Sequence, residues 1–451
     1  MAGRRWIEEW DPEDRAFWEA RGRRTAHRNL FFSVLSEHIG FSVWTLWSVL
    51  VLFMGPEYGL TAADKFLLTS VVTLVGAVAR VPYTFAVALF GGRNWTIVSA
   101  SLLLVPTVAA FVVMHPGTSF AGFLWVGLLA GIGGGNFASS MTNINAFFPM
   151  HRKGWALGLN AGGGNIGVPV IQLAALAVIG AGGGPRLLLG IYIPLIVVAA
   201  VLAALFMDNL ASVRNDTGAA VDAAKDAHTW IMSFLYVGTF GSFIGYSFAF
   251  GQVLTSQFGR TPLQAAYLTF IGPLLGSLIR PVGGRLADRF GGARITLWNF
   301  VAMAAATGAL VAAGLHRSLP LFVAVFVVLF VLSGLGNGST YKMIPGIFRA
   351  KALARGLAGE EAAAYARRLS GASMGLIGAV GALGGVGINL AFRQSFLSYG
   401  SGTGAFVAFL AFYAVAFAVT WAVYLRRPDG DRAPAAADTT GTQPRLGYAE
   451  V

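Results

Sequence analysis

The sequence predicts an all-α membrane protein with twelve transmembrane helices in two six-helix bundles around a central cavity. Three observations carry that prediction. Of its 451 residues, 56% are hydrophobic and only 12% are charged. A soluble chain of this length would need far more charge on its surface. Apolar runs of about 20 residues, enough to cross a bilayer core of roughly 30 Å, recur along the whole chain. The two halves also repeat one another, with a polar motif at matching places.

In chain order, residues 1–29 are charged and polar and read as a short surface helix or a mobile cytoplasmic segment. No cleavable signal peptide is visible, because the first apolar run is too long for an h-region. That run and five more, near 30–54, 66–90, 96–114, 119–147, 155–181 and 187–208, form the first bundle, 30–208. A polar linker at 209–229 follows. The second bundle, 230–426, has runs near 230–256, 265–288, 294–315, 319–349, 369–393 and 403–426. The tail, 427–451, is rich in Pro, Ala, Asp and Thr and reads as disordered. The runs are too long for strands and lack period-2 alternation.

Lys and Arg set the orientation. Most of the 32 lie at the N-terminus, in the even-numbered loops and in the tail. Only Lys65, Arg186, Arg260, Arg317 and Arg393 fall in the opposite loops. Both termini are therefore expected in the cytoplasm, at a cell membrane. The net charge of +12 follows the same loops, which argues against a nucleic-acid partner. There is no cysteine and the six His are scattered, so neither a thiolate nor a metal site is expected. No nucleophile–base constellation suggests an enzyme.

The most informative stretch is Gly131–Pro149, GIGGGNFASSMTNINAFFP. It is apolar enough to span, yet it is crowded with glycine, asparagine and hydroxyl side chains. Gly133, Gly135, Asn136, Ser139 and Phe147 answer to Gly334, Gly336, Asn337, Thr340 and Phe348 in the second half. In each half an arginine, Arg80 or Arg280, stands ten residues before Phe-Gly-Gly. Ten residues of helix rise about 15 Å, so both arginines are expected near the midplane. Phe137, Phe240 and Asn165 fall at a similar depth. A buried arginine is costly and marks a functional site unless a carboxylate pairs with it. No acid is expected at that depth, so a bound anion is the natural counter-charge.

Twelve spans, the duplication and Gly284-Arg285-Leu286-Ala287-Asp288-Arg289-Phe290-Gly291-Gly292 resemble the major facilitator superfamily, with Asp288 and Arg289 in its loop motif. Gly131–Pro149 and its copy, Gly334–Phe348, look like the nitrate signature of the NarK-type nitrate/nitrite porters. The resemblance covers roughly residues 30–425. It implies alternating access, with nitrate uptake and nitrite export by a functional monomer in the lipid bilayer and no cofactor. It implies further that Arg80 and Arg280 clamp the anion, that Phe137 and Phe240 cover its faces, and that Tyr236 and Asn165 donate hydrogen bonds. A carrier of another small solute and a non-transporting nitrate sensor are the alternatives.

Glu37, His38 and Lys342 depart from the neutral residues expected in the anion-exchanging branch. Glu37 and Lys342 both fall about 10 Å deep by helix rise. This leads to the expectation that Glu37, with His38, couples transport to protons while Lys342 sets its charge. Nitrate–proton symport is then favoured over nitrate/nitrite antiport. The alternative is a structural Glu37–Lys342 ion pair. Gly133, Gly135, Gly163, Gly164, Gly336 and Gly384 are expected to permit close helix approach, as are their neighbours Gly162 and Gly387.

Overall fold

The computed structural model describes residues 6–213 and 216–426. The tail expected to be disordered lies outside them. Among the described residues, twelve helices are long and apolar enough to span a membrane. In the first half they are α1 (Arg15–Phe53), α2 (Ala62–Phe90), α3 (Gly92–Val113), α4 (Phe120–Phe147), α5 (Trp155–Gly180) and α6 (Pro185–Phe206). In the second half they are α7 (Ala227–Phe258), α8 (Pro262–Phe290), α9 (Gly292–Leu315), α10 (Leu319–Ala354), α11 (Gly359–Tyr399) and α12 (Thr403–Leu425). The most enclosed are α1 and α7, which occupy corresponding places in the two halves.

The segment before residue 30 is more structured than its composition suggests. Helix α1 begins at Arg15, and Trp18 is buried with its ring 5.8 Å from that of Phe148. A short strand, β1 (Trp6–Ile7), pairs in parallel with β2 (Asn209–Leu210). Strands were not expected, and two residues are too short a run to register as alternation. Asp208 reinforces the join by accepting hydrogen bonds from Arg28 at 2.5 Å and from Asn29 Nδ2 at 2.9 Å. Within the expected linker, Thr217–Lys225 is helical, and Asp216 caps it by accepting from the Ala219 backbone N–H.

Several spans change geometry where the site lies. Gly131–Gly135 tightens to a 3₁₀ turn just before Phe137. In α7, Val237–Gly241 widens to a π turn that contains Phe240. Such turns re-aim side chains and recur at functional sites.

Glycine lets these helices meet backbone to backbone. A Cβ on Gly384 of α11 would lie 2.8 Å from Gly241 Cα of α7, and one on Gly133 would lie 2.6 Å from the Gly40 carbonyl of α1. Gly163, Gly164, Gly135 and Gly336 face side chains at 2.4, 2.2, 2.7 and 2.5 Å in the same sense. Gly162 and Gly387 do not share this role, since a Cβ there would meet nothing within 4 Å. Gly384→Val is therefore expected to destabilise the fold by about 1–3 kcal/mol through overpacking. Gly387→Ala should be neutral, or stabilising by up to about 1 kcal/mol. Thermal melting of the two purified variants checks the contrast.

Candidate functional site

Arg80 on α2 is 1% exposed and Arg280 on α8 is 8% exposed. No carboxylate lies within ion-pair distance of either among the described residues. The Arg80 guanidinium sits 4.7 Å from the ring centre of Phe137, 4.9 Å from Phe240 and 5.5 Å from Trp44. Its Nη1 donates to the Gly378 carbonyl of α11 at 3.1 Å, while Nε and Nη2 have no partner in the protein. Arg280 Nη2 donates to Tyr236 Oη at 3.2 Å, and its Nη1 is likewise unpartnered. Tyr236 stacks on Phe240 at 5.1 Å, so a file of rings links the two arginines.

Five residues named from the sequence, Arg80, Arg280, Phe137, Phe240 and Tyr236, thus form one constellation. Phe137 and Phe240, 6.2 Å apart, cover the guanidinium of Arg80. Asn165 on α5 is 1% exposed with both amide atoms unpartnered, so among the described residues no hydrogen bond joins it to the other five. Tyr341, Trp44 and the Gly378 carbonyl were not anticipated. Tyr341 had a signal, because it occupies the place of Ser140 in the second copy of the motif.

A cavity of about 330 Å³ leads away from this constellation. Arg80, Phe137 and Tyr341 line its buried end, and Asp216, Arg367 and Arg368 line its exposed end. It opens on the side of the segment that joins the two halves. The opposite side is shut. There Phe66 stacks on Phe392 at 5.4 Å, Thr69 Oγ1 donates to Asn389 Oδ1 at 3.0 Å, and Gln252 Nε2 donates to the Ala62 carbonyl at 2.6 Å.

Glu37 is 1% exposed on α1. Its Oε2 accepts from Ser140 Oγ at 2.5 Å and Asn160 Nδ2 at 2.7 Å. His38 is half-buried, with Nδ1 3.3 Å from the Gly163 carbonyl. Lys342 does not form the ion pair with Glu37 that the sequence left open as the alternative. Its side chain is 53% exposed, and the ammonium lies 2.9 Å from Asp288 Oδ1 of the loop motif. The reason is geometric: the long side chain carries its charge out to the carboxylate at the end of α8. Arg289, also of that motif, lies 5.1 Å from the Phe290 ring.

Comparison with known proteins agrees with this architecture. The Major Facilitator Superfamily model matches residues 30–386. The chain belongs to that superfamily and, within it, to the NarK-type porters. It is 41% identical to "Nitrate/nitrite transporter NarU" of Salmonella typhimurium, over 93% of this chain and 96% of the relative. It is 31% identical to "Probable nitrate/nitrite antiporter NarK2" of Thermus thermophilus, over 94% and 97% of the two chains. Among solved structures, a bacterial homolog of the human lysosomal transporter Spinster, in an inward-facing and occupied conformation, superposes with a TM-score of 0.63. At 17% identity, covering 87% of this chain and 95% of the other, it supports the fold alone.

The Lys342–Asp288 pair is half exposed, so solvent screens it. A double-mutant cycle with Lys342→Met and Asp288→Asn, read by thermal melting, should give a coupling energy below about 1 kcal/mol.

Proposed function

We propose that the chain carries nitrate and nitrite across a cell membrane by alternating access, with the anion held by Arg80 and Arg280. The observation that carries this reading is the pair of buried guanidiniums with N–H groups unpartnered and, among the described residues, no carboxylate within ion-pair distance. A guanidinium is planar and permanently charged, and it can bond a planar oxyanion through two parallel hydrogen bonds. Nitrate and nitrite are small, planar and weakly hydrated, so they leave water readily for such a site. The printed names of the relatives point to the same substrates.

In this reading Tyr236 orients Arg280, and the rings of Phe137 and Phe240 keep water away from Arg80. Asn165 supplies a further hydrogen bond once the helices shift. Where the halves meet, a Cβ on Gly385 of α11 would lie 2.9 Å from Thr73 Cγ2 of α2, and this thin contact lets them rock. The cavity open beside the joining segment is the cytoplasmic pathway, with both termini on that side.

For the coupling mode we favour nitrate–proton symport. Glu37 is a buried carboxylate with no ion-pair partner among the described residues, and it is held by α4 and α5, the helices of Phe137 and Asn165. One proton per anion is electroneutral, and two or more would let a negative-inside potential drive uptake. Nitrate/nitrite antiport is the alternative and needs no titrating group.

Proteoliposomes free of internal anion decide between them. Symport predicts nitrate uptake driven by an inward proton gradient. Antiport predicts uptake only after nitrite is loaded inside. For the anion site, Arg80→Lys and Arg280→Lys should each weaken nitrate-induced thermal stabilisation by roughly 1.5 kcal/mol or more of binding energy, the scale of a charge-assisted hydrogen bond. Wild-type stabilisation in both variants would remove the clamp.

A further inference from the structure

Helix α4 has two polar faces. Phe137, Ala138, Met141, Thr142 and Asn145 line the large cavity. Asn136, Ser139 and Ser140 line a second, much smaller pocket on the adjoining face, completed by Ser33, Ser36 and Glu37 of α1 and by Thr96 and Ser99 of α3. None of these residues lines the large cavity. The spacing follows from 3.6 residues per turn, which puts positions 137 and 141 on one face and 136, 139 and 140 beside it.

Much of the oxygen lining the pocket has lone pairs to spare, although Ser33, Ser140 and Glu37 Oε2 are already bonded to one another or to Asn160. Thr96, Ser99 and Ser139 donate their hydroxyl protons to the carbonyls of Gly92, Thr96 and Asn136. Their oxygens therefore remain acceptors. Ser36 Oγ, Glu37 Oε1 and Asn136 Oδ1 have no hydrogen-bond partner, although these residues are 4%, 1% and 4% exposed. A buried polar group without a partner is costly, and a water commonly relieves it. The pocket volume is about 10 Å³. That is close to the least space one water needs, and such a water requires two to four polar partners. An occupant facing so many acceptors has to be a donor.

We infer that this pocket holds a single water that carries protons to and from Glu37, on a route separated from the anion by α4. The inference rests on the symport reading. In its protonated form the water transfers one proton to the Glu37 carboxylate, leaving neutral water and a carboxylic acid. The reverse transfer follows after the halves have rocked. Ser36 and Asn136 are positioning residues that hold the water. The charged groups acting on Glu37 across the site are Arg80 on α2 and Arg280 on α8, neither within 4 Å. His38, the next residue of α1, is held at the Gly163 carbonyl of α5. The polar groups that reach Glu37 from α4 and α5 are the Ser140 hydroxyl and the Asn160 amide. Anion and proton therefore meet adjoining faces of one helix and need not share a channel.

The test compares two activities of one preparation: nitrate uptake driven by a proton gradient, and nitrate–nitrate exchange at equal pH. The second needs no net proton movement. Ser36→Ala with Asn136→Leu should lower driven uptake roughly tenfold or more, the loss expected when a positioned proton donor is removed. Exchange should stay within about twofold, because neither residue lines the anion cavity. Ser36→Thr keeps the hydroxyl and should keep the uptake. Driven uptake at the wild-type rate in the double variant would overturn the inference. So would uptake that requires sodium, which would make the pocket a cation site. Glu37→Gln separates the two levels of the argument. If it leaves driven uptake intact, the proton does not pass through Glu37 and the pocket inference falls while symport stands; wild-type protein without gradient-driven uptake would remove the symport reading itself. If it abolishes uptake while the pocket variant does not, only the pocket inference falls. Should the double variant show no nitrate-induced thermal stabilisation, Ser36→Ala alone decides by the same ratio.

Discussion

Two guanidiniums held away from water without carboxylates set the terms for the rest of this molecule. Bringing an ion out of water costs several kcal/mol even after the protein relaxes. Arg80 recovers part of that through one carbonyl and three aromatic faces. A charged hydrogen bond contributes about 1.5–3 kcal/mol, and each cation–π contact about 0.5–2 kcal/mol. Those gains approach the cost without satisfying Nε and Nη2. The protein stabilises the charge enough to keep it buried and leaves it chemically incomplete. Rings suit this purpose, because they attract a cation without supplying an anion that would compete for it.

That constraint propagates into the packing of the helices. Arg80 bonds a carbonyl of α11, so the first half is tied to the second at the site itself. Helix α11 reaches that position because Gly384 meets Gly241 backbone to backbone. The 3₁₀ turn before Phe137 and the π turn around Phe240 bring one ring from each half to the same guanidinium. Close contact and irregular turns thus serve one end, the placement of aromatic faces around a charge.

The fold and the pair of arginines were legible in the sequence for related reasons. Hydropathy counts spans, and helix rise converts a ten-residue offset into depth. The same reasoning assigns Lys342 a depth without saying where its side chain runs, and its ammonium meets Asp288. Rise along a helix says nothing about rotation around it, and a lysine can extend its charge well beyond its own backbone. Tyr341 was missed because the duplicated motif was compared by similarity, and this position differs between the copies. The segment before residue 30 was underestimated because its anchors are spread thinly: Trp18 against Phe148, Asp208 against Arg28, and a two-residue strand pair. None of these forms a periodic pattern.

The segment between the halves shows how local chemistry bears on the whole. At its start, Asp208 and β2 are fixed to the first half through Arg28, Asn29 and β1. Further on, Asp216 accepts from Arg368 of α11 at 2.6 Å, and Asp226 pairs with Lys351 of α10. Arg368 holds the Asp216 carboxyl below the usual carboxylate range, so this attachment persists through neutral pH. The chain between Leu210 and Asp216 can extend at most roughly 3.3–3.6 Å per residue. Exposed pairs are worth little individually, so the join at Asp216 to the second half is the weaker one, and the join of buried Asp208 to the first half is the stronger.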